Sequence, residues 1–330
     1  METNTIPLGI DAGNGAFKIF GRPGGQQVLS QVATDGGQRV INTLGLRKQV
    51  PPLQVVNGHG AFYVGAGAHD YGRPVENLDV DRFTGTPEMA ALLHGSLTHY
   101  QASYSLFDAP LTVVTGLPNE LLTGEVALEN AETVKRWIKG THTWLADGQE
   151  YKAQIAEVKV ASQTTGGLFD YLLNDQGHFI PERKKALTGE AGIISVGFGT
   201  VELMVVRNRT PVQRFTTGTA SGVRRLLELV NQGRLYSLGE MDLLLRGNQL
   251  DLGTALPIWE REVGRVISDQ WGSQWKRFSV VLAAGGGTLL LRDSLIHRFG
   301  AKICIPDDPV LSIARGLYKM ALLQKARREQ

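Results

Sequence analysis

"LGIDAGNGAFKIFG", residues 8–21, decides the fold. An apolar run ends in an acid, Asp11. A Gly-Asn-Gly tip follows, and then a second apolar run that carries one lysine, Lys18. If the second run is a helix, the loop belongs with dinucleotide or P-loop folds. If it is a strand, the loop is the tip of a hairpin. A dinucleotide fingerprint needs G-x-G-x-x-G running into a helix. Here Gly15 is followed by Ala-Phe-Lys-Ile-Phe and then Gly-Arg-Pro-Gly-Gly. A short aromatic and branched run between two turn signals is strand chemistry. A Walker A loop needs Gly-Lys-Ser/Thr, which is absent. The stretch therefore reads as a hairpin, with Asn and Gly at the tip because both tolerate positive φ. Its tip offers consecutive backbone N–H groups that can hold phosphate oxygens, and Asp11 beside it can hold a hydrated Mg²⁺. Taken alone, a glycine-rich hairpin is more often a plain turn.

The device recurs. "IISVGFGTVEL" (193–203) lies over "LGIDAGNGAFK" (8–18), with Gly197 on Gly13, Gly199 on Gly15, Ser195 on Asp11 and Glu202 on Lys18. Two such hairpins suggest a cleft in which both tips face one phosphate tail. "VVLAAGGGTLLL" (280–291) reads as strand, triple glycine and helix start. Glycines let a flat ring or ribose approach the backbone, and a new helix N-terminus offers free N–H donors. A crowded turn accounts for it equally.

The chain has 330 residues, enough for two lobes with real cores. Apolar content of 42%, charged content of 20% and a net charge of +2 fit a soluble globular protein and give no argument for direct nucleic-acid binding. Lys319, Lys325, Arg327 and Arg328 gather near the end, as in a solvated helix terminus. The single cysteine, Cys304, sits in a strand-like "AKICIP" and reads as core filler. The first residues lack the features of a signal peptide, and no run reaches the ~18 apolar residues of a membrane span. A cytoplasmic setting is expected. The seven histidines show no metal-ligand spacing.

Strands are expected at 6–11, 16–20, 27–34, 39–44, 53–58, 61–67, 111–118, 155–162, 191–197, 200–208 and at the start of 278–300. Helices are expected at 86–101, with Thr86 as N-cap, and at 119–139, 165–175, 220–233, 238–246, 256–271 and 308–330. These fall into two blocks, each opened by strand, glycine tip and strand. That order implies two α/β lobes.

In the order and spacing of these motifs the chain resembles the actin/heat-shock-chaperone/hexokinase ATPase superfamily, and within it the ParM/StbA type of actin-like protein. The resemblance covers essentially the whole chain. "GIDAGNGAFK" is similar to phosphate loop 1 and "ISVGFGTVEL" to phosphate loop 2. "VVTGLP" (113–118) is similar to a strand-turn of the N-terminal domain. "VKVASQTTGGLFDYLL" (158–173) resembles the first connecting segment, "VVLAAGGGTLL" the adenosine motif, and "SIARGLYKMA" (312–321) the closing connecting helix. The implied fold is α/β, actin-like (ribonuclease H-like), with two lobes around a nucleotide cleft. Residues 1–165 with 308–330 would form one lobe and 166–307 the other.

The resemblance also implies a site. ATP (or GTP) and Mg²⁺ would bind between the lobes. Gly13, Asn14, Gly15 and Ala16 would cradle phosphates with Gly197, Phe198, Gly199 and Thr200. Lys18 would neutralise the β- and γ-phosphates, and Asp11 would hold the metal through water. Gln163 would orient the attacking water. Gly285, Gly286, Gly287 and Thr288 would line the nucleoside, with Asn231 and Gln232 near the base. One departure stands out. Phosphate loop 2 in the family reads D-x-G-x-x-T-T-D, whereas here the first acid is Ser195, the second Thr is Val201 and the last acid is Glu202. Loss of the first charge implies weaker metal binding or slow hydrolysis. Ser195→Asp is accordingly expected to raise turnover or Mg²⁺ affinity.

Three functions compete. A filament-forming cytoskeletal protein that moves plasmid DNA through a DNA-binding adaptor, or has another prokaryotic cytoskeletal role, leads. A monomeric small-molecule kinase of the same superfamily needs a substrate base that the sequence does not display. A chaperone needs a separate substrate-binding domain.

Overall fold

The computed structural model describes residues 5–37, 50–76 and 80–328. The opening stretch is a hairpin: strand Ile6–Ala12 runs antiparallel to Ala16–Gly21, with Asp11 opposite Lys18. On its other side Ile6–Ala12 pairs parallel with Leu111–Leu117, which pairs parallel with Gln149–Ser162. Strands covered on both faces read as continuous apolar runs. Leu8, Ile10, Val113 and Leu117 are accordingly fully buried. Helix Pro87–Ser103 packs on this sheet and is buried along almost its whole length. The sheet has ten strands, and its far end is an antiparallel extension ending in Val32–Thr34 and Arg73–Pro74.

The second sheet repeats the plan. Glu190–Val196 runs antiparallel to Val201–Arg207 and parallel to Val280–Ala284, which is followed by Ile303–Cys304. Its core holds Trp259, Trp271 and Phe278. Two helices, Gln163–Leu172 and Ser312–Arg328, join the lobes and pack on each other. They cross closely: a Cβ at Gly316 would lie 1.8 Å from the Gly166 carbonyl oxygen. Asp170 ties them by a two-pronged bond from Arg315, at 2.8 and 2.6 Å, and one from Lys319 at 3.0 Å. Lys319 is therefore buried in an ion cluster and not part of a solvated tail, because the closing helix is covered by the first sheet on one side and its partner helix on the other.

Several elements differ from the sequence expectation. The run 27–34 breaks into Gly24–Leu29 and Val32–Thr34, and 39–44 lies outside the described residues. The stretch 119–139 is a short 3₁₀ turn, Asn119–Leu122, followed by helix Ala127–Ile138. Thr86 precedes helix Pro87–Ser103 but makes no side-chain cap. The strand expected at 155–162 begins at Gln149, because it forms a hairpin with Gly140–Ala146. Asp147 and Gly148 turn that hairpin with φ of 49° and 81°. Asp-Gly is the turn signal that could have revealed it. Among the described residues no helix is long and apolar enough to cross a membrane.

Candidate functional site

The two hairpin tips meet between the lobes. The positive φ expected at the first tip is not found at Gly13, Asn14 or Gly15. Small size is what the tips need. A Cβ at Gly15 would lie 2.6 Å from the Phe198 Cβ, and one at Gly199 would lie 2.6 Å from the Asn14 amide nitrogen. Each tip thus seats a side chain of the other. Asn14 is itself held by the buried Arg82, whose Nη1 donates to its Oδ1 at 2.7 Å. The carbonyls of the second tip are occupied: Gly197, Phe198 and Gly199 accept from the N–H groups of Val223, Arg224 and Gly222. Among the described residues no backbone acceptor takes the N–H of Asn14, Gly15, Phe198 or Gly199, so these donors remain for an anion.

A cavity of about 530 Å³ opens beside the tips, within the range of small-molecule sites. Asp11, Gly13, Asn14, Gly15, Ala16, Lys18 and Gln163 line it from the first lobe. Ser195, Gly197, Phe198, Gly199, Thr200, Gly285, Gly286 and Gly287 line it from the second. Thr288 does not: it is buried, and its hydroxyl donates to the Ala284 carbonyl at 2.8 Å. The glycine triplet runs into a 3₁₀ turn, Gly286–Leu289, and the α-helix begins only at Arg292. No α-helix N-terminus therefore stands at the triplet. Gly285 is required there by its φ of 90° and its contact with the backbone of Val196.

Asp11 is the hub. It is buried, and its two oxygens accept from Lys18 Nζ and Gln163 Nε2, each at 2.8 Å. Strand register puts Lys18 opposite Asp11. Gln163 is the first residue of its helix, and Ser162 caps that helix by accepting from the Thr165 N–H at 3.1 Å. In the second hairpin the same register puts Glu202 opposite Ser195. Glu202 is 1% exposed. One of its oxygens accepts from the Asn119 N–H at 2.8 Å, and the other has no partner. Burial pushes its carboxyl up to about 8. Asp11 and Glu120 add to the rise, and the Asn119 N–H opposes it. The charge missing at Ser195 thus has a neighbour one strand across. Oxygen donors of this kind suit a hard cation. Asp11 lines the cavity and Glu202 does not, so Asp11 is the carboxylate that fits such a guest. The sequence signal for Glu202 was a lone acid in the otherwise apolar "VELMVV".

At the far end of the cavity Leu245, Leu250 and Leu252 give an apolar wall, and Asp242, Arg246 and Asn248 give polar groups. Arg246 Nε donates to Asp242 at 2.8 Å. Burial raises the Asp242 carboxyl and Arg246 opposes the rise. Asn231 and Gln232 are not in this wall. Asn231 is used in its own turn, donating to the Tyr236 carbonyl and accepting from the Leu235 N–H. Sequence reading found the helix Leu238–Arg246 but none of its cavity-facing residues.

Duplicated hairpins from two lobes, joined by crossing helices, thus face one cavity. Residues 9–166 match the N-terminal domain of the actin-like proteins. No curated protein matches the chain by sequence. Among solved structures, the apo psk41 ParM protein superposes with a TM-score of 0.75 at 16% identity, covering 99% of this chain and all of the other. A 15-stranded ParM filament from Clostridium botulinum gives 0.73 at 18% identity, covering 96% and 99%. An archaeal actin homologue, Ta0583, solved with ADP, gives 0.71 at 16% identity, covering 98% and 100%. Residues 9–166 thus match an actin-like N-terminal domain, and the chain as a whole has an actin-like fold of the ParM type.

Proposed function

We propose that this protein binds ATP (or GTP) with Mg²⁺ in the interlobe cavity and thereby assembles with copies of itself into filaments in the cytoplasm, in plasmid or DNA segregation or another prokaryotic cytoskeletal role. The observation that carries this reading is the pair of interlocked tips above the Asp11–Lys18–Gln163 cluster, with free N–H donors supplied by both lobes. A ligand held by both tips would stiffen one lobe against the other, which is how a bound phosphate tail could alter assembly. ADP in an archaeal homologue and the filament formed by a ParM of the same fold support the reading.

Each residue has a role in it. Asn14, Gly15, Phe198 and Gly199 offer backbone donors to phosphate oxygens, and Thr200 adds a hydroxyl. Lys18 supplies a point cation for the β- and γ-phosphates. Asp11 would hold a hydrated Mg²⁺, which supplies charge neutralisation when bound. Gln163 cannot serve as a strong base, and its amide orients water. Catalysis in such a site is mostly positioning and charge stabilisation. Ser195 leaves one charge fewer beside the metal than the family motif supplies, so hydrolysis is expected to be slow. DNA would be reached through an adaptor, since a net charge of +2 provides no strongly basic surface.

The test is light scattering and electron microscopy with ATP, GTP and their diphosphates, each with Mg²⁺. Filaments that depend on the triphosphate are expected. A persistent monomer with sugar-stimulated ADP release would overturn the reading in favour of a kinase.

A further inference from the structure

A buried cation stands behind the first tip. Arg82 is 2% exposed and belongs to the turn Val80–Thr84, just before helix Pro87–Ser103. The turn is pinned by Trp137, whose Nε1 donates to the Phe83 carbonyl at 2.7 Å. Phe83 itself lines the interlobe cavity. The guanidinium thus has a fixed place, and its partners are few. Its Nη1 donates to Asn14 Oδ1 at 2.7 Å. Its Nε and Nη2 meet the Met89 sulfur at 3.3 and 3.1 Å, and a thioether is a weak acceptor. Among the described residues none of these partners is a carboxylate. Burial lowers the guanidinium to about 10, and Glu88 opposes the fall through space. Arg82 therefore stays charged at neutral pH.

Burying a charge without an ion pair is costly. A neutral donor would hold Asn14 Oδ1 without that cost. Asn14 is the residue that links this charge to the cavity. It lines the cavity, its N–H has no backbone acceptor, and its amide seats against Gly199 of the second tip. An anion at that N–H would offset the cost of the buried guanidinium, because a fixed charge reaches further in a low-dielectric interior than in water.

We propose that Arg82 is a positioning residue that sets the phosphate affinity of the first tip: it orients Asn14 and places a buried positive charge behind it, without touching the ligand. The proposal rests on the nucleotide reading of the cavity. A role of this kind grows with the charge of the ligand, whereas a purely structural role weakens every ligand alike.

The test therefore compares ligands within one variant. Arg82→Met and Arg82→Gln both remove the charge, one leaving an apolar and the other a polar side chain. The probe is the N-methylanthraniloyl triphosphate, of adenine or guanine, that wild type binds with Mg²⁺. It is displaced by the matching nucleoside, Mg²⁺-diphosphate and Mg²⁺-triphosphate, whose net charges fall in that order. Loss of the charge should weaken the triphosphate at least about tenfold and the diphosphate about threefold, and leave the nucleoside within about twofold. If Arg82→Met fails to fold, Arg82→Gln decides. Equal weakening of all three ligands, or wild-type affinities throughout, would overturn the role of Arg82 and leave the nucleotide reading intact. Failure of the wild-type protein to bind either labelled triphosphate would overturn both.

Discussion

Glu202→Gln should stabilise the nucleotide-free protein at pH 8 and leave it nearly unchanged at pH 5. The Glu202 carboxyl is raised from its ordinary 4.5 to about 8, chiefly by burial. Between those values the folded protein holds a proton that the unfolded chain has released. Stability is therefore fully present below pH 4.5 and falls as pH rises through the window. At about 1.36 kcal/mol per pH unit, the loss between pH 5 and pH 8 comes to about 3 kcal/mol. Glutamine has the same shape, still accepts from the Asn119 N–H, and does not titrate. Urea unfolding of both proteins at the two pH values isolates this residue from every other titrating group. The expected difference is within about 1 kcal/mol at pH 5 and about 4 kcal/mol in favour of Gln at pH 8. The same difference at both values would refute the picture of a desolvated acid with one orphaned oxygen.

Other consequences can be checked separately. Gln163→Ala should lower turnover at saturating nucleotide by about 10²-fold, with affinity little changed, as expected for a group that orients water; unchanged turnover in a steady-state phosphate-release assay would exclude that role. Gly316→Ala places a methyl 1.8 Å from the Gly166 carbonyl oxygen and should cost more than about 3 kcal/mol in chemical denaturation; a loss below about 1 kcal/mol would mean that the helices part easily. His94 bonds to Asn57 through Nδ1 and to His142 through Nε2, each at 3.1 Å. Its pKa is lowered from 6.5 to about 3 by burial, and by His142 and His59 to a lesser degree. Stability from this group is present above pH 6.5 and falls with pH, by about 2 kcal/mol at pH 5. Its ring resonances in NMR should stay those of a neutral imidazole from pH 8 to pH 5, and a midpoint above pH 5 would contradict the burial of His94 between Asn57 and His142.

The hairpins were legible because strand chemistry and tip glycines are local properties. Even the equivalence of Asp11–Lys18 with Ser195–Glu202 follows from counting residues about each tip. What the sequence did not reveal depends on which surfaces meet. Lys319 looked like part of a basic tail, and only the crossing of two helices buries it against Asp170. Glu202 lacks a partner for one oxygen because Asn119, from the other lobe, reaches only one side of it. Thr288 follows three glycines, yet the 3₁₀ turn points its hydroxyl back to Ala284. The far wall of the cavity comes from the helix Leu238–Arg246, whose pattern reports packing in its own lobe. Asp242 and Arg246 carry no mark in sequence of the cavity they face.

The central claim is that the cleft holds a magnesium nucleoside triphosphate between two tips. Isothermal titration calorimetry of ATP into wild type and Lys18→Ala, with Mg²⁺ and with a chelator, tests it most directly. The account predicts one site per chain, weakened by chelation and weakened at least tenfold by loss of the Lys18 charge, which sits 2.8 Å from Asp11 at the cavity wall. No binding to wild type by ATP or GTP, or binding indifferent to both Mg²⁺ and Lys18, would contradict it.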